Sequence, residues 1–198
     1  MHDKSGHYKV VRTLVLGGAR SGKSTYAERL AEATQREVIY IATAAAEDSY
    51  TDSEMQARIA LHKAQRPAQW HTVEQPLTLG AAIAEWSAPE RVVLIDCLTV
   101  WCANLLFSEE KDYPEIGKII PPELFHQERA AFLQALAEAK GDVILVSNEV
   151  GMGIVPQGAI SRWFVDEAGR LNQAVAGGCE RAVFIAAGLP LMLKDTAC

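Results

Sequence analysis

Three groups of residues in this chain have the types and spacings of working chemistry. The first is Gly17-Gly18-Ala19-Arg20-Ser21-Gly22-Lys23-Ser24, the pattern of glycine, four residues and Gly-Lys-Ser/Thr that holds nucleotide phosphates. Its glycines let successive backbone N–H groups turn toward phosphate oxygens, with the positive end of the following helix aimed at them. Lys23 brings a mobile point charge to the outer phosphates, and Ser24 a hydroxyl that ligates Mg2+. The second is Asp96, closing the apolar run Arg91-Val92-Val93-Leu94-Ile95. A phosphate-loop protein keeps its Mg2+-organising acid at such a place, although an Asp there also serves as a helix cap. The third is His62, with Arg58 and Arg66 four residues to either side and Lys63 beside it. On a helix the two arginines share one face with the imidazole, and the basic cluster reads either as a solvated charge run or as an anion site around a nucleophile. Cationic neighbours favour the neutral imidazole, the form that attacks phosphorus. His2, His7, His71 and His126 have no such setting.

These groups need elements to position them. Val10 to Leu16 is a buried strand leading into the glycine loop, and Thr25 to Ala33 is the helix that leaves it. Glu37 to Thr43 is a second buried strand, and strand, helix, strand begins a parallel α/β sheet. Thr51-Asp52-Ser53-Glu54 has capping-box spacing, and Met55 and Ile59 place a helix from about Asp52 to Gln65, ended by Pro67. That helix carries His62. Trp70 to Glu74 reads as a short strand, Leu77 to Trp86 as an apolar helix, Arg91 to Asp96 as a strand and Leu98 to Phe107 as a helix. Ser108 to Pro122 is an irregular loop of the kind that closes over a substrate. Glu123 to Lys140 is amphipathic, with Phe125, Phe132 and Leu136 inward, and Gly141 stops it.

Asp142 to Ser147 is another strand, running into Asn148-Glu149-Val150-Gly151-Met152-Gly153. This is a ligand-facing loop or a purely conformational one. Glu149 in it is a candidate base. A helix from Arg162 to Ala176, a strand from Arg181 to Ala186 and an extra edge strand from Leu189 to Lys194 finish the pattern. The expected architecture is a three-layer α/β fold of the P-loop NTPase type (RecA-like), with a mostly parallel central sheet. Residues 10–198 form one catalytic domain, preceded by a mobile polar extension, 1–9.

Composition narrows the function classes. A chain of 198 residues buries a core without staples. A net charge of −6 and a pI near 5.4 argue against a nucleic-acid binder, which needs a basic face to displace counterions. Cys97, Cys102, Cys179 and Cys198 form no Cys-x-x-Cys pair, and read as buried apolar thiols in a reducing compartment. The first residues lack the apolar centre of a signal peptide, and no apolar run approaches the roughly 18 residues of a spanning helix. A cytoplasmic protein without membrane insertion is expected. A guanine-reading Asn-Lys-x-Asp motif, which a GTP-dependent switch would carry, is absent from the sequence.

Taken in order, the phosphate loop, Tyr40-Ile41-Ala42-Thr43-Ala44, Glu54-Met55 with Arg58-Ile59, His62-Lys63, Arg66-Pro67, Trp70, Thr72 and Glu74, Asp96-Cys97-Leu98-Thr99, and Ser147-Asn148-Glu149-Val150-Gly151-Met152-Gly153 form one series. The series resembles the adenosylcobinamide kinase/adenosylcobinamide-phosphate guanylyltransferase family of cobalamin biosynthesis, from about Thr13 to Lys194. The resemblance implies two reactions. A nucleoside triphosphate, ATP or GTP, phosphorylates the aminopropanol hydroxyl of adenosylcobinamide. GMP then passes from GTP to adenosylcobinamide phosphate through a guanylylated histidine matching His62, with release of pyrophosphate.

The resemblance also implies nucleotide contacts at Gly17, Gly18, Ala19, Arg20, Ser21, Gly22, Lys23, Ser24, Ala42, Thr43, Ala44, Lys63, Ala64, Gln65, Arg66, Glu74 and Asp96, with Mg2+ near Ser24 and Asp96, and a homotrimeric assembly. Departures are an N-terminal extension of about ten residues and a slightly long segment, Ala45 to Ser53, neither touching a motif residue. The competing reading is a P-loop small-molecule kinase without guanylyltransferase activity, in which His62 is idle.

Overall fold

The computed structural model describes residues 9–44 and 67–196. Seven strands form one sheet: β1 (Arg12–Gly17), β2 (Glu37–Ala42), β3 (His71–Glu74), β4 (Arg91–Asp96), β5 (Asp142–Asn148), β6 (Arg181–Ala186) and β7 (Leu189–Asp195). Their order is β3-β2-β4-β5-β1-β6-β7, with every neighbouring pair parallel except β6 and β7. The described helices are α1 (Lys23–Ala33), α2 (Leu79–Trp86), α3 (Leu98–Leu106), α4 (Glu123–Ala137) and α5 (Ala159–Gly178).

The central strands read as continuous apolar runs because both faces are covered. Alternation along each strand sends Leu14, Leu16, Ile39, Ile41, Val93, Ile95, Val143 and Leu145 into the layer of α2 to α5. The intervening Val15, Val38, Tyr40, Val92, Leu94, Ile144 and Val146 pack with Ala27 and Ala31 of α1 on the opposite face. The three-layer architecture expected from the sequence is therefore present, with α1 on one side and the other four described helices on the opposite side.

Several boundaries differ from expectation. The first strand starts at Arg12 rather than Val10, and α1 begins at Lys23, inside the glycine motif. Helix α4 ends at Ala137, three residues before Lys140, and α5 starts at Ala159 and runs to Gly178, longer than Arg162 to Ala176. The extra edge strand exists and runs antiparallel to β6, because the two-residue turn Ala187-Gly188 folds the chain straight back. Both turn residues have positive φ, 52° and 78°, the signature of a type I′ hairpin. The helix expected over about 52–65 lies outside the described residues, as do residues 1–8 of the expected extension.

On the four-helix side, Trp101 stacks obliquely on Phe132 with ring centroids 4.9 Å apart, and its Nε1 donates to the Leu77 carbonyl at 2.6 Å. Phe132 is fully buried. Phe132→Ala should cost about 3–5 kcal/mol of unfolding free energy, read as a lowered urea midpoint with unchanged slope.

Candidate active site

The phosphate loop leaves β1 at Gly17, where no side chain fits. An added Cβ would lie 2.5 Å from Ser21 Oγ and 2.7 Å from the Ile185 carbonyl of β6. Gly22 closes the loop at φ 93°, a left-handed value that L residues rarely adopt. Helix α1 then starts without a side-chain cap. Its first helical bond runs from Tyr26 N–H to the Gly22 carbonyl at 3.0 Å, so the N–H groups of Lys23, Ser24 and Thr25 have no partner within the helix. That is the donor set and dipole end an anion needs. The Ala187-Gly188 turn braces the loop from the side: Gly188 N–H donates to the Ser21 carbonyl at 2.8 Å, and its Cα lies 3.2 Å from where a Gly22 Cβ would be. The Ser21 hydroxyl is buried without a hydrogen-bond partner among the described residues.

Lys23 is buried within this loop and its Nζ donates to the Gly18 carbonyl at 3.1 Å. Burial lowers its pKa, opposed by the nearby Cys97 and Asp96. A phosphate brought to the loop would favour the charged ammonium, so binding and protonation reinforce one another.

Asp96 ends β4 on the α1 face, and the neighbouring β2 presents Tyr40 two residues back on that same face. The Tyr40 hydroxyl donates to Asp96 Oδ2 at 3.1 Å. Tyr40 is buried and stacks on Trp70, with centroids 6.1 Å apart, so the phenol is held in one place. One carboxylate oxygen is thereby fixed.

Past Asp96 the ends of β2 and β4 are clamped by Thr43, which is fully buried. Its hydroxyl donates to the Cys97 carbonyl at 2.9 Å and accepts from Cys97 N–H at 2.8 Å. Asn104 of α3 donates to the carbonyls of Thr43 and Pro76 at 2.8 and 3.0 Å. Thr43 therefore shapes the floor of the site with all its polar atoms engaged, its own N–H going to the Asp96 carbonyl. Cys97 is buried, and burial with the Asp96 charge pushes its thiol up to about 11, so it is neutral at physiological pH.

The structure brings Gly17 to Ser24, Ala42 to Ala44, Glu74 and Asp96 to the same carboxyl edge of the sheet. Glu74 closes the outer strand β3, opposite Ala42, and is exposed. Four strand spacings separate its strand from β1, about 19 Å. Glu149 follows β5; its N–H donates to the Gly17 carbonyl at 3.0 Å, and its Oε1 accepts from Gly151 N–H at 2.7 Å. His62, with Arg58, Lys63, Ala64, Gln65 and Arg66, lies outside the described residues. Sequence reasoning missed the Tyr40 hydroxyl, Asn104 and the bracing turn. Of these, the turn had a signal, since Ala187-Gly188 sits between two apolar runs at hairpin spacing.

The family model described as cobinamide kinase / cobinamide phosphate guanyltransferase matches residues 13–193. The chain is 50% identical over 184 residues to the bifunctional adenosylcobalamin biosynthesis protein CobP of Pseudomonas aeruginosa, covering 93% of this chain and 98% of that protein. It is 39% identical over 189 residues to the bifunctional adenosylcobalamin biosynthesis protein CobU of Salmonella typhimurium, covering 91% and 98%. Among solved structures, the ATP synthase subunit NeqB of Nanoarchaeum equitans superposes with a TM-score of 0.53 at 13% identity, over 90% of this chain and 47% of that one, a likeness of fold alone.

Lys23→Ala should weaken nucleoside triphosphate binding by roughly tenfold to a hundredfold, the loss of a charge-assisted contact. Titration calorimetry checks this, with near-parental affinity excluding the loop as the phosphate site.

Proposed function

The chain belongs to the cobinamide kinase / cobinamide phosphate guanyltransferase family, and on that premise we propose how its residues divide two reactions. The enzyme phosphorylates the hydroxyl of adenosylcobinamide with a nucleoside triphosphate, then transfers GMP from GTP to the new phosphate, giving adenosylcobinamide-GDP and pyrophosphate. The observation that carries this is the match of the family model along residues 13–193, joined to a phosphate loop and Asp96 at one sheet edge.

In the first step an acceptor oxygen attacks the γ-phosphorus, the bond to the bridging oxygen breaks, and the nucleoside diphosphate leaves with the electron pair. Such transfer needs positioning and charge stabilisation more than covalent help. Gly17 to Ser24 hold the phosphates, Lys23 stabilises the outer oxygens, and Glu149, anchored to Gly17, is the candidate acceptor of the hydroxyl proton. Mg2+ fits this site, because the half-buried Ser24 hydroxyl and the Asp96 carboxylate are the hard donors it takes. When bound it neutralises developing charge on the phosphates.

In the second step the His62 imidazole attacks the α-phosphorus of GTP and pyrophosphate leaves. The acceptor phosphate then attacks the phosphoramidate and the imidazole is released. Arg58, Lys63 and Arg66 neutralise the oxyanions around that phosphorus. With the phosphates on the loop, Ala42, Thr43, Ala44 and Glu74 are the edge along which the nucleoside extends. The family resemblance supports a homotrimer. No described helix is long and apolar enough to cross a membrane, and a cytoplasmic site of action is our expectation.

His62→Asn separates this reading from a kinase in which the histidine is idle. The variant should lose both the label retained from α-labelled GTP and the GDP-linked product, and keep most phosphoryl transfer to cobinamide. Retained label, or equal loss of both reactions in a protein that still binds nucleotide, would refute the nucleophilic role.

A further inference from the structure

The two halves of the phosphate chemistry stand on strands that do not touch. The phosphate loop follows β1, Asp96 ends β4, and β5 runs between them, so the two strands lie about 9.6 Å apart. Strand β5 also outruns β4. Its register with β4 stops at Asp96 and Val146, whereas its register with β1 continues to Gly17 and Asn148. Beyond Asp96 the chain of β4 turns off into α3, and the last residues of β5 lose that neighbour.

Thr99, in the first turn of α3, takes the neighbour's place. The Asn148 N–H, on the β4 side, donates to Thr99 Oγ1 at 2.7 Å. The next N–H, that of Glu149, points to the β1 side and donates to the Gly17 carbonyl at 3.0 Å. Behind this pair, Thr99 Oγ1 and Ser147 Oγ are hydrogen-bonded at 3.3 Å, either hydroxyl able to donate, and both residues are buried. A threonine hydroxyl thus substitutes for a missing strand, and through Asn148 and Glu149 it ties the segment beginning at Asp96 to the first residue of the phosphate loop.

We propose that Thr99 is a positioning residue for phosphoryl transfer, setting the separation of Asp96 and the phosphate loop through the end of β5. It touches neither substrate and acts on the loop geometry that both the acid and Glu149 depend on. The proposal rests on the kinase reading above, although its first readout does not. Asp96-Cys97-Leu98-Thr99 and Ser147-Asn148-Glu149 are separate motifs in the sequence, and this contact makes them one unit.

The test compares Thr99→Val, which keeps shape and removes the hydroxyl, with Thr99→Ser, which restores it, in the full chain. Without any substrate, hydrogen exchange at the Asn148 and Glu149 amides should quicken by about tenfold or more in Thr99→Val and return near the parental rate in Thr99→Ser. With ATP and cobinamide, kcat should fall by about tenfold or more in Thr99→Val, since small misplacements of reacting groups are costly, while the KM for nucleotide stays within about twofold. Parental exchange, an unchanged kcat, or a loss shared equally by kcat and nucleotide affinity that Thr99→Ser fails to restore would overturn the proposal. Should Thr99→Val not fold, Ser147→Ala carries the same exchange and kcat comparison. A parental enzyme that fails to phosphorylate cobinamide would sink the kinase reading instead, and leave the exchange result to judge Thr99.

Discussion

Backbone N–H groups at the start of α1 have no partner within the helix, and unpaired donors in a partly buried place are expensive to keep. The neighbouring structure keeps them aimed outward all the same. Gly17 and Gly22 allow the chain to turn where side chains would collide, and the β6–β7 turn holds Ser21 by its carbonyl so that the loop cannot relax over its own donors. The parallel sheet brings Asp96 and Glu74 to this same edge because every parallel crossover returns the chain to the opposite end. Function is thus concentrated at one rim by topology before any side chain is chosen.

Electrostatics then act within that rim. The chain carries a net charge of −6, so its attraction for phosphates is local rather than global. Lys23 is partly desolvated, with nearby Cys97 and Asp96 opposing the drop in its pKa, while the Tyr40 hydroxyl holds one Asp96 carboxylate oxygen.

Much of this was legible in the sequence. The phosphate loop, the strand ending in Asp96, the second buried strand and the amphipathic α4 follow from residue type and period, which are local properties. The direction of β7 was less legible, since an apolar run does not state which way it pairs. Helix ends were displaced by packing: α5 gains its first turn where Ala159 N–H meets the Glu115 carbonyl, and Arg162 Nη1 bonds the Pro156 and Gln157 carbonyls. Tyr40 on Asp96, Gly188 on Ser21 and Thr99 on Asn148 join residues far apart in the chain. No window of sequence contains both members of such a pair, so only the assembled sheet reveals them.

The three cysteines of the described chain lie in buried surroundings, and burial pushes the Cys102 and Cys179 thiols up to about 12, alongside the raised Cys97. A thiol that is both covered and protonated does not meet an alkylating reagent until the chain around it opens. Their positions differ: Cys97 adjoins the carboxyl edge beneath Asp96, Cys102 lies in α3, and Cys179 follows α5. Alkylation rates at these three sulfurs therefore act as built-in clocks for breathing at the nucleotide rim, within the helical layer and behind the outer strands, with no label added to the protein.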